Sequence, residues 1–212
     1  MNDAIEKYIL SHIDDEGDYL RELYRQTNIH LLAGRMASGH LQGRVLRMLV
    51  RMIRPKRILE VGTFSGYSAI SMAEGLEPGG MVYTYEINDE LEDFTRPWIE
   101  GSAVADRIKF IIGDALVLAP RTGITFDMAF IDGDKRTYRQ TYDMAMGVVR
   151  DGGFIIADNT LWDGHVVDSR YDNDGGQARG IEDFNDCIAR DDRVEKVILP
   201  LRDGLTIIRK KP

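Results

Sequence analysis

The spacing of apolar and polar positions changes partway along the 212 residues. Residues 3–14 and 18–30 repeat their apolar positions every three or four residues, which predicts two amphipathic helices broken at Asp15-Glu16-Gly17. A connector over 32–39 leads into a third such helix that ends before Pro55. From 57 onward the pattern becomes a series of short apolar runs: 57–62, 81–86, 107–112, 126–132 and 153–158. Helical periodicity fills the gaps, at 66–75, in a segment ending near Gly101, and at 136–149. Continuous apolar strands alternating with helices predict a parallel sheet covered on both faces. The last part differs. A Gly/Asp-rich loop (164–177) and a helix (178–190) precede two strands, 194–200 and 204–210, joined by a tight turn at Arg202-Asp203-Gly204. That ending predicts an antiparallel hairpin added to the sheet edge.

Neither repeats nor linkers interrupt this order, so the expectation is one α/β domain over 1–212, with residues 1–35 as a helical N-terminal extension. Hydrophobic content of 43% and charged content of 29% suit an ordinary globular chain. No apolar run approaches the roughly 20 residues that span a bilayer. The N-terminus is acidic and amphipathic, unlike a signal peptide. A single cysteine, Cys187, excludes an internal disulfide framework and reads as packing. These features point to the cytoplasm, with no membrane partner.

A net charge of −8 opposes nonspecific nucleic-acid binding. One basic stripe stands against it: Arg44, Arg47, Arg51 and Arg54 share a helix face. Its plain reading is a solvated face touching a partner subunit; its sharper reading is a dock for a phosphate-bearing substrate. His12, His30 and His40 read as surface or interface residues, and His165 as a loop residue.

Ligands of open α/β sheets bind beyond the carboxyl ends of the strands, so the residues there carry the chemistry. The first strand ends in a loop with glycines at 62 and 66 but Phe64 and Tyr67 where a dinucleotide fingerprint needs glycine. A nucleoside cofactor without a pyrophosphate fits better. Glu86 ends the second strand, where an acid can accept ribose hydroxyls. The third strand ends in Gly113-Asp114-Ala115, a small-residue turn suited to an adenine edge or to a helix capped by Asp114. Asp132, Asp134 and Lys135 follow the fourth strand, and Asp158 and Asn159 the fifth. Converging carboxylates require a cation or hydrogen bonds. An all-oxygen set selects Mg²⁺, Mn²⁺ or Ca²⁺ over zinc. The competing account makes the acids helix caps, with Lys135 as their surface ion-pair partner.

The segments ILEVGTFSGYSA, FIDGDKRTY and ADNTLWDG, in that order, closely resemble the cation-dependent class I O-methyltransferases, the caffeoyl-CoA and catechol O-methyltransferase group. The similarity runs from about Met36 through the closing LPLRDGLTIIRKK. It implies a Rossmann-like, seven-stranded, mostly parallel sheet with the seventh strand antiparallel. It implies an enzyme that moves a methyl group from S-adenosylmethionine to a hydroxyl of a catechol-like or vicinal dihydroxy small molecule. By the same resemblance Ser38, Glu60, Gly62, Ser68, Glu86, Ala115 and Asp134 face the cofactor, together with Asp132. Asp132, Asp158 and Asn159 hold the metal, and Lys135 acts with Asp132 in catalysis. Asp163, where plant members usually carry Asn, and Trp162 border the acceptor. Residues 1–35 fall where the family builds its homodimer and substrate mouth. Related bacterial proteins methylate 5-hydroxyuridine in tRNA, which makes tRNA the alternative acceptor.

Overall fold

The computed structural model describes residues 3–168 and 176–212, so the expected loop over 164–177 lies partly outside the described residues. Three N-terminal helices, α1 (Asp3–Leu10), α2 (Asp18–His30) and α3 (Gly39–Ile53), precede the alternating region. That region comprises β1 (Arg57–Val61), α4 (Tyr67–Ala73), β2 (Met81–Glu86), α5 (Glu92–Glu100), β3 (Ile108–Ile112) and α6 (Ala115–Arg121). It continues through β4 (Phe126–Ile131), α7 (Tyr138–Val148), β5 (Val149–Asp158), α8 (Gln177–Arg190), β6 (Val194–Leu199) and β7 (Leu205–Lys210). The strands form one seven-stranded sheet in the order β3-β2-β1-β4-β5-β7-β6. Contacts group the chain into two compact units, Met1–Lys56 with Thr63–Ile112, and Arg57–Gly62 with Gly113–Pro212. No described helix is long and apolar enough to cross a membrane.

In the first unit, β2 and β3 pair in parallel. Helix α3 packs on α4, burying Leu46 and Val50 on its inner face. α1 ends at Leu10, four residues short of the expected end. The Ser11 hydroxyl donates to the Tyr8 carbonyl at 2.8 Å and the His12 ring bonds the same oxygen at 2.7 Å. Side chains thus take the place of the next helical N–H.

In the second unit, β1–β4 and β4–β5 are parallel, whereas β7 runs antiparallel between β5 and β6. Ile58, Leu59, Met128, Ala129, Phe130, Ile131, Ile155, Ile156 and Ala157 are all buried, because central strands are covered on both faces. Helix α7 lies on β4 and β5, and α8 packs on α7. Phe184 of α8 meets the rings of Tyr138 and Tyr142 edge-on, at 5.6 and 6.0 Å between centroids. Each edge-on aromatic pair of this kind adds roughly 0.5–1.5 kcal/mol beyond its area burial. The outer strand β6 exposes Glu195 and Lys196, and charges of this kind discourage edge-to-edge pairing.

Candidate active site

The chemistry-bearing residues of the second unit gather where β4 and β5 end. Ile131 and Ala157 are register partners, so Asp132 and Asp158 each lie one residue beyond a paired position. Gly62 closes the end of β1 beside them. Its φ is +98°, and a Cβ there would overlap the Asp132 carbonyl. Only glycine permits both that backbone angle and that approach. The Asp132 N–H donates to the Val61 carbonyl at 2.9 Å and holds the two strand ends together.

Lys135 sits in a 3₁₀ turn (Lys135–Thr137) leading into α7 and is buried, 7% exposed. Its ammonium donates to Asp132 Oδ1 at 2.9 Å and to the Tyr138 hydroxyl at 2.8 Å. The Tyr138 hydroxyl in turn lies 3.0 Å from the Asp158 carbonyl oxygen. The ion pair that the competing account placed on the surface is therefore a buried one. Burial raises the Asp132 carboxyl above its ordinary range, opposed by Lys135 and by Arg202. Burial also pulls the Lys135 ammonium down, but Asp132, Tyr138 and Asp158 outweigh it and hold the pKa above its usual value. The group is positively charged in this arrangement.

Asp134 has a different duty. Its carboxylate caps the 3₁₀ turn by accepting from the Arg136 N–H at 3.0 Å and also pairs with the Arg136 guanidinium. These hydrogen bonds hold its carboxyl below the ordinary range.

Asn159 follows Asp158 in a left-handed conformation, φ +54°. Its N–H donates to Asp158 Oδ1 at 2.9 Å, and its side-chain Nδ2 donates to Asp203 Oδ2 at 2.8 Å. Trp162 and Asp163 follow in left-handed backbone at the start of a 3₁₀ segment (Trp162–Val167), with Asp163 exposed. Trp162 meets His165 edge-on at 6.4 Å. Among the described residues no group of three or more His, Cys, Asp or Glu gathers as a metal cluster. Asp132, Asp158 and Asn159 supply two carboxylates and an amide. That set fits a hard divalent ion in its donor chemistry, and Lys135 supplies the positive charge beside Asp132.

Glu60 is fully buried in β1, and Ala115 opens α6 behind Asp114. Asp114 caps that helix, accepting from Leu116 N at 2.8 Å.

The first unit carries the other predicted residues. Glu86, at the end of β2, accepts from the Phe64 N–H at 2.8 Å and from the Asn88 N–H at 2.9 Å. Two backbone donors fix the plane of that carboxylate while each oxygen retains a lone pair. Phe64 takes φ +48°, and Thr63 bonds Thr84 at 2.6 Å, so the first loop is pinned to β2. Ser68 is buried in the first turn of α4, and Ser38 is buried just before α3.

The arginine stripe is partly paired within this unit, four arginines against two glutamates. Arg44 pairs with Glu74 at 2.9 Å, Arg47 reaches the same carboxylate at 3.7 Å, and Arg54 reaches Glu77 at 3.7 Å. Arg51 is exposed. His40 is bonded to the Asp14 carbonyl at 2.7 Å, so it fastens the chain before α2.

Two participants escaped the sequence reading. Tyr138 lies three residues past Lys135 in the FIDGDKRTY segment, and that spacing was its available signal. Asp203 looked like an ordinary hairpin-turn residue, and nothing local marked its contact with Asn159, 44 residues away.

A model of the O-methyltransferase family matches residues 10–211. Tricin synthase 1 of Oryza sativa subsp. japonica is 34% identical over 224 residues, which cover 99% of this chain and 88% of that protein. The caffeoyl-CoA O-methyltransferase of Eucalyptus gunnii is 34% identical over 221 residues, covering 99% and 88%. The crystal structure of the O-methyltransferase TomG from Streptomyces achromogenes, in complex with SAM, superposes with a TM-score of 0.89 at 26% identity, covering 99% of this chain and 96% of that one.

Proposed function

The chain belongs to the O-methyltransferase family and is an S-adenosylmethionine-dependent enzyme, and from that premise we propose that it methylates a hydroxyl of a catechol-like or other vicinal dihydroxy small molecule with a divalent cation bound. The observation that carries this reading is the buried Asp132–Lys135 pair beside Asp158, at the ends of two adjacent parallel strands. Asp132, Asp158 and Asn159 would hold the cation, with Mg²⁺ the first choice and Mn²⁺ or Ca²⁺ compatible with oxygen donors. When bound, it supplies Lewis-acid stabilisation of negative charge on the acceptor oxygens. S-adenosylmethionine supplies a methyl group already activated by its sulfonium.

The chain's own residues then have distinct tasks. Lys135, charged and aimed by Tyr138, stabilises the negative charge on an acceptor oxygen whose proton passes to solvent. Electrostatics of this kind act strongly where burial lowers the local dielectric. Asp132 balances Lys135 and orients it. Glu86, its plane set by Phe64 and Asn88, accepts the ribose hydroxyls of the cofactor. Ser38, Glu60, Gly62, Ser68, Ala115 and Asp134 complete the cofactor contacts. Trp162 and Asp163 border the acceptor.

We read the 212 residues as one methyltransferase domain and as half of a homodimer. Exposed Leu32, Met36, Met48 and Met52 on and after the N-terminal helices support the dimer. The lone cysteine supports a cytoplasmic setting. Pairing of Arg44, Arg47 and Arg54 with glutamates favours a small acceptor over tRNA.

A methyl-transfer screen tests the reading, using labelled S-adenosylmethionine with and without chelator across catechols, caffeoyl esters and unmethylated tRNA. Chelator-sensitive transfer to a catechol or a caffeoyl ester is expected. Transfer to tRNA alone, or an Asp158→Ala variant with unchanged activity and ion dependence, would overturn it.

A further inference from the structure

The hairpin turn between β6 and β7 makes a set of bonds to the loop that follows β5. The Asp203 carbonyl accepts from the N–H groups of Leu161 and Trp162 at 2.8 and 3.1 Å. The Gly204 carbonyl accepts from the Thr160 N–H at 3.1 Å, and the Thr206 hydroxyl donates to that of Thr160 at 2.7 Å. Gly204, at φ +98°, brings the turn so close that a Cβ would lie 2.5 Å from Leu161 N. Residues 159–162 are therefore held by a turn more than forty residues downstream. Within this clamp the Asp203 carboxylate takes the Nδ2 donor of Asn159 at 2.8 Å.

That bond settles which way the Asn159 amide points. An ionised carboxylate only accepts hydrogen bonds, so the amide atom facing Asp203 must be the nitrogen. The Asn159 amide oxygen, the one side-chain atom with which it can ligate a hard cation, is turned away from Asp203. Without Asp203 the amide can rotate, and one of its two flipped states presents N–H donors to a cation. We propose that Asp203 is a positioning residue for the divalent-ion site, acting through the Asn159 amide. This rests on the reading above that Asn159 is a ligand. Hydrogen-bonding partners of metal ligands commonly contribute 10–100-fold in metal affinity.

The test is Mn²⁺ titration of the purified full-length protein, followed by calorimetry and by the electron paramagnetic resonance of free Mn²⁺, with no acceptor present. Asp203→Ala is expected to weaken Mn²⁺ binding about 10–100-fold. Asp203→Asn keeps an oxygen that accepts from Nδ2, and should restore affinity to within about threefold of the parent. In an Asn159→Ala background, Asp203→Ala should cost nothing more. If Asp203→Ala does not fold, Asp203→Ser, too short to reach Nδ2, replaces it in each comparison. The proposal is overturned if Asp203→Ala leaves the affinity unchanged, if Asp203→Asn is as weak as Asp203→Ala, or if the Asp203 effect persists without Asn159. Failure of the underlying reading looks different: the parent protein binds no Mn²⁺, or Asn159→Ala binds it as tightly as the parent.

Discussion

Lys135 donates to Asp132 across 2.9 Å, and both side chains are largely withdrawn from solvent. Each compensates the charge of the other. Breaking one member of such a buried pair costs about 3–5 kcal/mol when the remaining charge is left alone. Asp132 can relieve part of that cost by taking up a proton, since burial already raises its carboxyl. Lys135→Met is therefore expected to fold, with stability reduced by about 3 kcal/mol or less. Turnover should fall roughly 100-fold or more, because the stabilising ammonium is gone. Mn²⁺ affinity should change little, since the loss of a competing cation beside Asp132 is offset by any proton that Asp132 takes up. Chemical denaturation, steady-state kinetics and Mn²⁺ titration on one preparation check all three; weakened ion binding would contradict the assigned role.

Tyr138 links Lys135 to the end of β5 through a single hydroxyl. Tyr138→Phe keeps the ring that packs on Phe184 and deletes only that hydroxyl. The expected loss is about 1–3 kcal/mol of stability, from unsatisfied buried polar groups. We expect turnover to drop by about tenfold, with the Michaelis constant for S-adenosylmethionine unchanged, because imprecise positioning of Lys135 lowers the rate. A changed Michaelis constant with normal turnover would place Tyr138 on the cofactor side instead.

Gly62→Ala asks the backbone to accept a side chain at φ +98° and against the Asp132 carbonyl. The expected effect is destabilisation well beyond the ~1 kcal/mol that an ordinary glycine position tolerates. Activity should fall with it, as the ends of β1 and β4 are pushed apart. The thermal midpoint and kcat/KM of the variant measure this directly, and a neutral variant would mean that the approach is looser than described.

Asp191 gives a prediction about pH. Hydrogen bonds from the Arg193 guanidinium and backbone, joined by the Tyr142 hydroxyl at 2.9 Å, hold its carboxyl well below the usual range. A carboxyl depressed in the folded state adds stability above its unfolded value, about 3.9. That contribution is lost as pH falls toward the lower folded value. Asp191→Asn should thus be less stable than the parent at pH 7, with the difference shrinking as both are taken below about pH 4. Urea midpoints at the two pH values supply the comparison; a gap that widens in acid would reverse the assignment.

Much of the architecture was legible in residue order alone. Runs such as Phe126–Ile131 are continuously apolar because central parallel strands are buried on both faces, and that property shows in a single segment. The position of Gly62, Glu86 and the acids at 132 and 158 at or just past strand ends was legible because each closes an apolar run. The length of α1 was not, since its stop depends on Ser11 and His12 turning back onto one carbonyl. Nor was the burial of Lys135, because a lysine beside two aspartates reads locally as a solvated charge.

By itself, then, the order of residues determined the alternating α/β plan, the strand-end acids and the family motifs, all of which are written within short stretches. Only the tertiary structure decided which groups pair: Lys135 with Asp132 and Tyr138, the arginine stripe with Glu74 and Glu77, and Asn159 with Asp203. Those partners depend on the packing of α7 on β4 and β5, of α3 on α4, and on β7 lying beside β5. A hydrogen bond spanning 44 residues leaves no periodic trace, because loop closure relates the two positions in space and not in spacing.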